Sequence, residues 1–411
     1  MRFSILALGS RGDVQPFVAL GHGLQAAGHR VRIASFESFA PLVTQHGLNF
    51  YPVKGDAEAL TASLFDENIL QTRNPLKLAQ AIRATYAALI ADYLEAFTDS
   101  AFADSDVIVN QLPAGLFGGE IAEKYGIPYL QAAVIPMVPT RFHALPLLTT
   151  QHFGAVLNRA SYTLADFLVR RVMFADAVKQ MRQKLGLSKT PPHRASPVPI
   201  IHGFSPRVVP PPPDWGSHVH TTSWWIAPYQ DWTPPADLVE FIGAGDAPIF
   251  IGFGSMSVKD RDAFTRMLID AVKAAGVRAV LSRGWAHLGG DLPDTIYALD
   301  YAPFEWLFPQ MAAVIHHGGS GTTGTALRSG VPSMVIPFIA DQPYWGMRTA
   351  ALGVGVPSIM VKSLTADKLA AAIKTLISDP VLARRAAALG EALRAEDGIG
   401  MAVEAIERCI R

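Results

Sequence analysis

Short apolar runs alternate with longer segments of helical periodicity along almost the whole chain, and this rhythm restricts the fold more than any other feature of the sequence. Parallel strands need a crossover of a dozen or more residues, usually a helix, so the alternation predicts parallel sheets covered by helices on both faces. In the first half the predicted strands are Phe3–Leu8, Arg30–Ala34, Val107–Asn110 and Tyr129–Ala133. The predicted helices are Phe17–Ala27, Phe39–His46, Leu76–Phe97 and Leu116–Tyr125, some closed by glycine as in Ala27-Gly28 and Tyr125-Gly126. The segment Val198–Pro235 interrupts the series with Pro210–Pro213, Pro228, Pro234 and Pro235, and reads as a linker.

The alternation then resumes with strands Ile249–Phe253, Arg278–Ser282, Thr295–Leu299, Ala313–His316 and Ser333–Pro337, and helices Asp262–Ala275, Thr322–Ser329 and Trp345–Leu352. The tail from Thr365 to Ile410 is helical, with a glycine break at Gly398-Ile399-Gly400. The fold class is therefore α/β, with two doubly wound, Rossmann-like domains facing across a cleft. Residues 1–213 form the first, 214–245 the linker region, 246–390 the second, and 391–411 C-terminal helices that pack back on the first. Open α/β sheets bind ligands at the carboxyl ends of their strands, which places the chemistry in the cleft.

Composition narrows the function. Lys plus Arg and Asp plus Glu number 35 each, so the formal net charge is zero and the basic excess of a nucleic-acid binder is absent. Only 17% of residues are charged while 50% are hydrophobic, which predicts an apolar surface suited to a greasy ligand or to peripheral contact with a membrane. The N-terminal MRFSILALGSRGD is too short in its apolar run for a secretory leader, and no run reaches the roughly 18 apolar residues of a spanning helix. A single cysteine, Cys409, excludes an internal disulfide framework and fits a cytoplasmic protein. A monomer or a homodimer suits this composition equally.

Three segments carry candidate chemistry. In Val314-Ile315-His316-His317-Gly318-Gly319-Ser320-Gly321-Thr322-Thr323-Gly324 a strand ends at a histidine pair, turns through glycine and enters a helix. Helix N-termini hold unsatisfied N–H donors and a positive partial charge, so this pattern suits a phosphate, with His317 as a further donor; a plain tight turn would use the same residues. In Pro337-Phe338-Ile339-Ala340-Asp341-Gln342-Pro343, Asp341 and Gln342 follow a strand and offer the mixed acceptors and donors that sugar hydroxyls require, although Asp341 equally suits a helix cap. In Gly9-Ser10-Arg11-Gly12-Asp13-Val14-Gln15-Pro16, Asp13 stands near an N-cap, where it serves either as a cap or as a general base at the sheet edge.

Other patterns are set aside. Gly21-His22-Gly23 lies inside a helix, not at the strand-to-helix turn of a dinucleotide fingerprint. Asp104-Ser105-Asp106 and Asp260-Arg261-Asp262 have the D-x-D spacing of a diphosphate-bound metal, but capping and solvation explain both, and His218 and His220 lack further zinc ligands nearby. No G-x-S-x-G elbow occurs. Tyr162–Leu187, which mixes apolar residues with Arg170, Arg171, Lys179, Arg182 and Lys184, reads as an ordinary helix with a solvated basic face in preference to an interfacial membrane helix.

The segments GSRGDVQPFVALGHGLQAAGHRV, IGFGSM at Ile251–Met256, SRGW at Ser282–Trp285 and LFPQMAAVIHHGGSGTTGTALRSGVPSMVIPFIADQPYWG together resemble the GT-B fold glycosyltransferases of sterols and natural-product aglycones. The resemblance runs over nearly the whole chain and is strongest to the sterol 3-β-glucosyltransferase branch, followed by the glycopeptide-antibiotic enzymes. It implies inverting transfer of a hexose from a nucleotide sugar, UDP-glucose first, to a hydrophobic small-molecule acceptor, with no cofactor and no metal. It also implies an acceptor-binding first domain and a donor-binding second domain. By the resemblance, Asp13 matches the catalytic base, with Ser10 and Gly12 beside it. His317, Gly319, Gly321 and Thr322 match the diphosphate loop, and Asp341 and Gln342 the sugar-holding pair. Ser255, Trp285 and Tyr301 match contacts to the nucleotide. The alternatives are a dTDP-sugar-dependent antibiotic or macrolide glycosyltransferase, a sugar-nucleotide epimerase of related fold, and a non-enzymatic auxiliary protein that keeps the fold.

Overall fold

The computed structural model describes residues 1–56, 58–59, 83–84, 89–112, 117–190, 196–226, 232–284 and 286–411. Its first sheet is built from β1 (Arg2–Leu6), β2 (Arg30–Phe36), β3 (Asn49–Val53), β4 (Val107–Leu112), β5 (Tyr129–Ala133), β6 (Ile200–His202) and β7 (Val219–Thr221), in the order β3-β2-β1-β4-β5-β6-β7 among the described residues. Every pairing is parallel. Ile5 lies opposite Ile33 on one side and Val109 on the other, and all three are fully buried, which is why these strands read as continuous apolar runs instead of alternating ones. Helices α1 (Arg11–Ala26), α2 (Gly118–Tyr125), α3 (Ala155–Phe167) and α4 (Ala175–Lys184) belong to this half.

The second sheet contains β8 (Ile249–Gly252), β9 (Ala279–Ser282), β10 (Ile296–Leu299), β11 (Ala313–His316) and β12 (Ser333–Val335), again all parallel, in the order β10-β9-β8-β11-β12. It is flanked by α5 (Arg261–Ala275), α6 (Ser320–Ser329), α7 (Gln342–Ala351), α8 (Ala366–Ser378) and α9 (Pro380–Arg394), and the chain ends in α10 (Gly398–Ile410). The α/β class and the paired doubly wound sheets are those the alternation predicts.

Several local readings change. The proline-rich Val198–Pro235 is not linker throughout, because β6 and β7 extend the first sheet on either side of Pro210–Pro213. Three-residue strands flanked by proline leave too faint a period to read from sequence. Tyr162–Leu187 is not one helix: α3 ends at Phe167, a wider turn covers Leu168–Met173, and α4 follows. Nor is Arg182 solvated, since it is 2% exposed and its guanidinium donates to both carboxylate oxygens of Glu123 at 2.8 Å. The glycines at 398–400 begin α10 instead of breaking a helix. Asp397 caps them by accepting from the Gly400 N–H, and the preceding helix α9, which Asp379 and Pro380 start, has already ended at Arg394. Half of predicted helix Leu76–Phe97 lies outside the described residues, and the described 83–84 and 89–97 are helical.

The two halves share a core. Ile135, Phe204, Val208 and Trp224 from before or after the prolines pack with Leu327, Tyr344, Trp345 and Leu393. Trp224 lies directly on Gly324 of α6, where an added Cβ would fall 2.5 Å from its indole ring. Arg348 of α7 donates twice to the Val208 carbonyl, and Glu396 accepts from Ser205 and Ser223 while pairing with Arg207. Residues Ala402, Val403, Ala405 and Ile406 of α10 join the core of the first sheet, and Gly23 of α1 admits Ile399 so closely that a Cβ there would lie 2.1 Å from its Cγ2. The helical glycines once comparable to a cofactor motif are thus packing residues.

Candidate active site

The cleft is lined by turns that follow β1, β11 and β12. After β1 the chain passes through Gly9 at φ +127° and enters α1 with Ser10 at the N-cap. Asp13, in the first helical turn, folds back on that cap: its Oδ2 accepts from the Ser10 N–H at 2.8 Å and from the Ser10 hydroxyl at 2.9 Å. A Cβ on Gly9 would lie 2.5 Å from Asp13 Oδ2, so only glycine fits beneath the carboxylate. The other oxygen accepts from Gln111 Nε2 at 3.0 Å, and the same Gln111 accepts from the Leu8 N–H at 3.2 Å. Burial pushes the Asp13 carboxyl above the usual carboxylate range, with the hydrogen bonds from Ser10 and Gln111 pulling partly the other way. Gly12 is exposed at the start of the helix.

After β11 the chain turns through Gly318, at φ +96°, and opens α6 at Gly319. The Gly318 N–H donates to His316 Nδ1 at 3.1 Å. His317 sits over the helix start, close enough that a Cβ on Gly319 would fall 2.6 Å from its Nε2. Burial lowers its pKa to about 4, so the ring is neutral at pH 7 and carries one N–H; its Nδ1 is buried with no hydrogen-bond partner among the described residues. Three hydroxyls of this turn are already committed, since Ser320 donates to the Val134 carbonyl of the first half, Thr323 to Gly319 and Thr325 to Gly321. Gly319, Gly321 and Thr322 stand at the start of α6, where the first backbone N–H groups have no partner within the helix and are the donor type a helix start offers to an anion.

After β12, Asp341 N-caps α7 and its Oδ2 accepts from Trp345 Nε1 at 2.7 Å. Burial and repulsion from Asp13 across the cleft raise its pKa to about 6. That repulsion joins two carboxylates which the sequence separates by more than three hundred residues. Gln342 is 5% exposed and largely occupied: its carbonyl accepts from the N–H groups of Phe338 and Ile339, and its amide lies 3.2 Å from Met256 Sδ. Ser255 is half-buried in the turn after β8 beside Gly254, whose missing Cβ makes room for His317. Tyr301 is 53% exposed, and the Arg11 guanidinium from the first half lies 5.5 Å from its ring centre. Trp285 lies outside the described residues.

Both D-x-D pairs have local partners. Asp260 caps α5 through the Ala263 N–H, Asp262 pairs with Arg261, Asp106 with Arg2, and Asp104 with Arg32. His220 Nε2 lies 3.4 Å from Cys409 Sγ. Two site residues escape motif reading, Gln111 and Trp345. Their signals were present: a polar Asn110-Gln111 pair closing an otherwise apolar strand, and an indole four residues after Asp341.

Residues 3–144 match the Glycosyltransferase family 28 N-terminal domain, and 268–405 match the C-terminal domain of the erythromycin biosynthesis protein CIII-like group. These matches take in the loops carrying Asp13, His317 and Asp341. The chain belongs to the GT-B glycosyltransferases. Sterol 3-β-glucosyltransferase of Emericella nidulans is 38% identical over 99% of the chain, and that of Cryptococcus neoformans var. neoformans 35% over 99%. The chain spans only 30% and 27% of those two relatives. The fold is shared with the kitacinnamycin glycosyltransferase, at TM-score 0.70 and 21% identity, covering 100% of this chain and 99% of that one. It is shared too with the Streptomyces sp. SF2575 glycosyltransferase SsfS6 in complex with thymidine diphosphate, at TM-score 0.66 and 22% identity over 99% of each chain.

Proposed function

We propose that this GT-B chain is an inverting hexosyltransferase that moves glucose from UDP-glucose to a hydroxyl of a hydrophobic aglycone such as a sterol. The observation that carries the reading is the Asp13 carboxylate, held at the cleft by three hydrogen bonds from Ser10 and Gln111 and facing Asp341 across it. A carboxylate with a raised pKa is a better proton acceptor than an ordinary surface aspartate, as a general base requires. In the proposed reaction the acceptor oxygen attacks the anomeric carbon from the side opposite the nucleotide. The C–O bond to the diphosphate breaks, the new glycosidic C–O bond forms, and the acceptor proton passes to Asp13.

Negative charge then grows on the diphosphate. Backbone N–H groups at Gly319, Gly321 and Thr322, with the neutral His317 ring, stand ready to meet it, and such preorganised donors favour the transition state over the ground state. They supply what a metal ion supplies elsewhere, so the transfer is proposed to be metal-independent. Asp341 is the proposed hydrogen-bond partner of the sugar hydroxyls, and Ser255 and Tyr301 of the nucleotide. Residues 1–213 hold the acceptor and 246–390 the donor.

The 38% identity to a sterol 3-β-glucosyltransferase supports glucose and a sterol, while a dTDP-sugar with an antibiotic or macrolide acceptor stays the second reading, the fold being shared with a glycosyltransferase solved in complex with thymidine diphosphate. Incubation with UDP-glucose and dTDP-glucose against sterols, phenols and macrolides, followed by mass spectrometry, separates the two. Glucosylated sterol from UDP-glucose, with turnover unchanged after EDTA dialysis, is the expected result. Epimerised sugar nucleotide without a transferred glycoside would overturn it.

A further inference from the structure

Helix α3 is amphipathic in the inverted sense. The side chains it buries are polar-tipped, and the apolar ones face outward. Asn158 is fully buried, donating to the Arg141 carbonyl and accepting from the Phe153 N–H, and the buried Tyr162 hydroxyl lies 2.9 Å from His143 Nδ1. On the opposite side Val156 is 80% exposed, Leu157 60%, Leu164 56% and Phe167 55%. With exposed Ala160 these positions follow helical spacing and form one arc of about 100°. Phe142 and Phe153, just before the helix, are exposed as well. Isolated exposed apolar residues are ordinary, but a continuous arc opposite the buried side of the same helix marks a contact surface.

The charge around the arc selects the partner. Arg141, Arg159, Arg170 and Arg171 are all exposed, against Asp166, which pairs with Arg170 at 2.7 Å, and the exposed Asp214, which acts on Arg159 and accepts from the Arg141 backbone N–H at 2.9 Å. Glu120 of α2 also acts on Arg170. This gives a local excess of arginine on a chain with no net charge. A second copy docking through the same face about a two-fold axis would bring these arginines against their own copies. An apolar arc rimmed by arginine fits instead the surface of a bilayer that contains anionic lipid, with the side chains entering the acyl boundary and the guanidiniums at the headgroups. No helix among the described residues is long and apolar enough to cross a membrane, so α3 would lie in the interface plane.

We infer that α3 docks this protein on anionic membranes through Val156, Leu157, Leu164 and Phe167, flanked by Arg159 and Arg171. The inference stands apart from the proposed reaction, because it concerns a face outside the Asp13 cleft and needs no turnover. It is tested by sedimenting the full chain with vesicles of phosphatidylcholine alone and of phosphatidylcholine with 30% phosphatidylserine. The parent is expected to pellet with the anionic vesicles, less with neutral ones and less at 0.5 M salt. The double variant V156D/L164D, with thermal unfolding unchanged, should lose ~10-fold or more of the partitioning, and Arg171→Gln should reduce the preference for anionic lipid.

Equal pelleting of parent and folded double variant would overturn the inference. So would a parent that ignores both vesicles but sediments as a dimer which V156D/L164D dissociates, since the arc would then belong to a second copy. Retained vesicle binding by an inactive Asp13→Asn protein would show that membrane docking and the proposed chemistry fail independently.

Discussion

The turns after β1 and β11 share one plan and carry opposite electrostatics. Each leaves the carboxyl end of a parallel strand, passes a glycine at positive φ and enters a helix whose first N–H groups face the cleft. In the β1 turn the helix start is occupied from within: Asp13 takes the Ser10 N–H and hydroxyl, so the turn is neutralised and presents a carboxylate. In the β11 turn no acidic residue stands in the first helical turn, the hydroxyls of Ser320 and Thr323 look elsewhere, and the uncharged His317 adds no cation. One turn thus presents a carboxylate, the proposed proton acceptor, and the other a helix start without an acidic residue, the proposed anion site. A single acidic residue in the first helical turn separates the two roles, because the helix-start donors either meet a carboxylate of the chain itself or stay available for a ligand.

The comparison breaks most sharply at the carboxylate. Asp13→Asn keeps the cap but removes the proposed base, and kcat is expected to fall by about 10²–10⁴-fold, the usual contribution of a general base at ~3–5 kcal/mol, with donor binding nearly intact. Parallel isothermal titration with the nucleotide and turnover assays check it. Parent-like kcat in a folded variant would return Asp13 to a capping role.

On the anion side, His317→Ala removes the ring that covers the start of α6. A loss of about 10²-fold in kcat/KM is expected, the scale of one preorganised donor to a developing anion. Measurement with an activated donor whose leaving group is less basic should recover part of the loss if the ring acts on the leaving group.

The third test sharpens the comparison. Gln111 donates to the ionised form of Asp13 and so holds its pKa down. Gln111→Leu should raise the Asp13 pKa, moving the acid limb of the pH–rate profile to higher pH and lowering kcat about tenfold near neutrality. An unmoved limb in a folded variant would show that Gln111 only ties β4 to β1.

The smallest effect is on stability. With its pKa raised to about 6, Asp341 binds a proton more tightly in the native than in the unfolded chain, so its contribution favours the fold at low pH and is lost as pH rises through about 6. Asp341→Asn should therefore raise Tm at pH 8 by a few degrees, roughly what ~1 kcal/mol gives in a domain of this size, and change it little near pH 4. Equal shifts at both pH values would remove the charge argument.

The order of most strands and helices was legible in the amino-acid sequence, β3, β6 and β7 excepted, because fully buried parallel strands must be apolar over their whole length and the covering helices must repeat near 3.6 residues. The glycine turns were legible for a related reason. Gly9 and Gly318 adopt backbone angles that other residues resist, and glycine is therefore visible at those positions. Asp13, His317 and Asp341 each stand beside such punctuation.

What the sequence left open was mutual placement. Nothing in it shows that Gln111 reaches Asp13, that Asp341 repels Asp13 across the cleft, or that Gln342 turns inward to the Phe338 and Ile339 N–H groups. Nor does it show that β6 and β7 complete the first sheet around four prolines. Local periodicity reports which face of an element is buried, whereas these relations join residues far apart in the chain and exist only once two sheets have packed. The same holds for α3, whose apolar arc has the spacing of any core helix. Only tertiary packing decided that its polar side turns inward, because Asn158 and Tyr162 find partners there that water would otherwise supply.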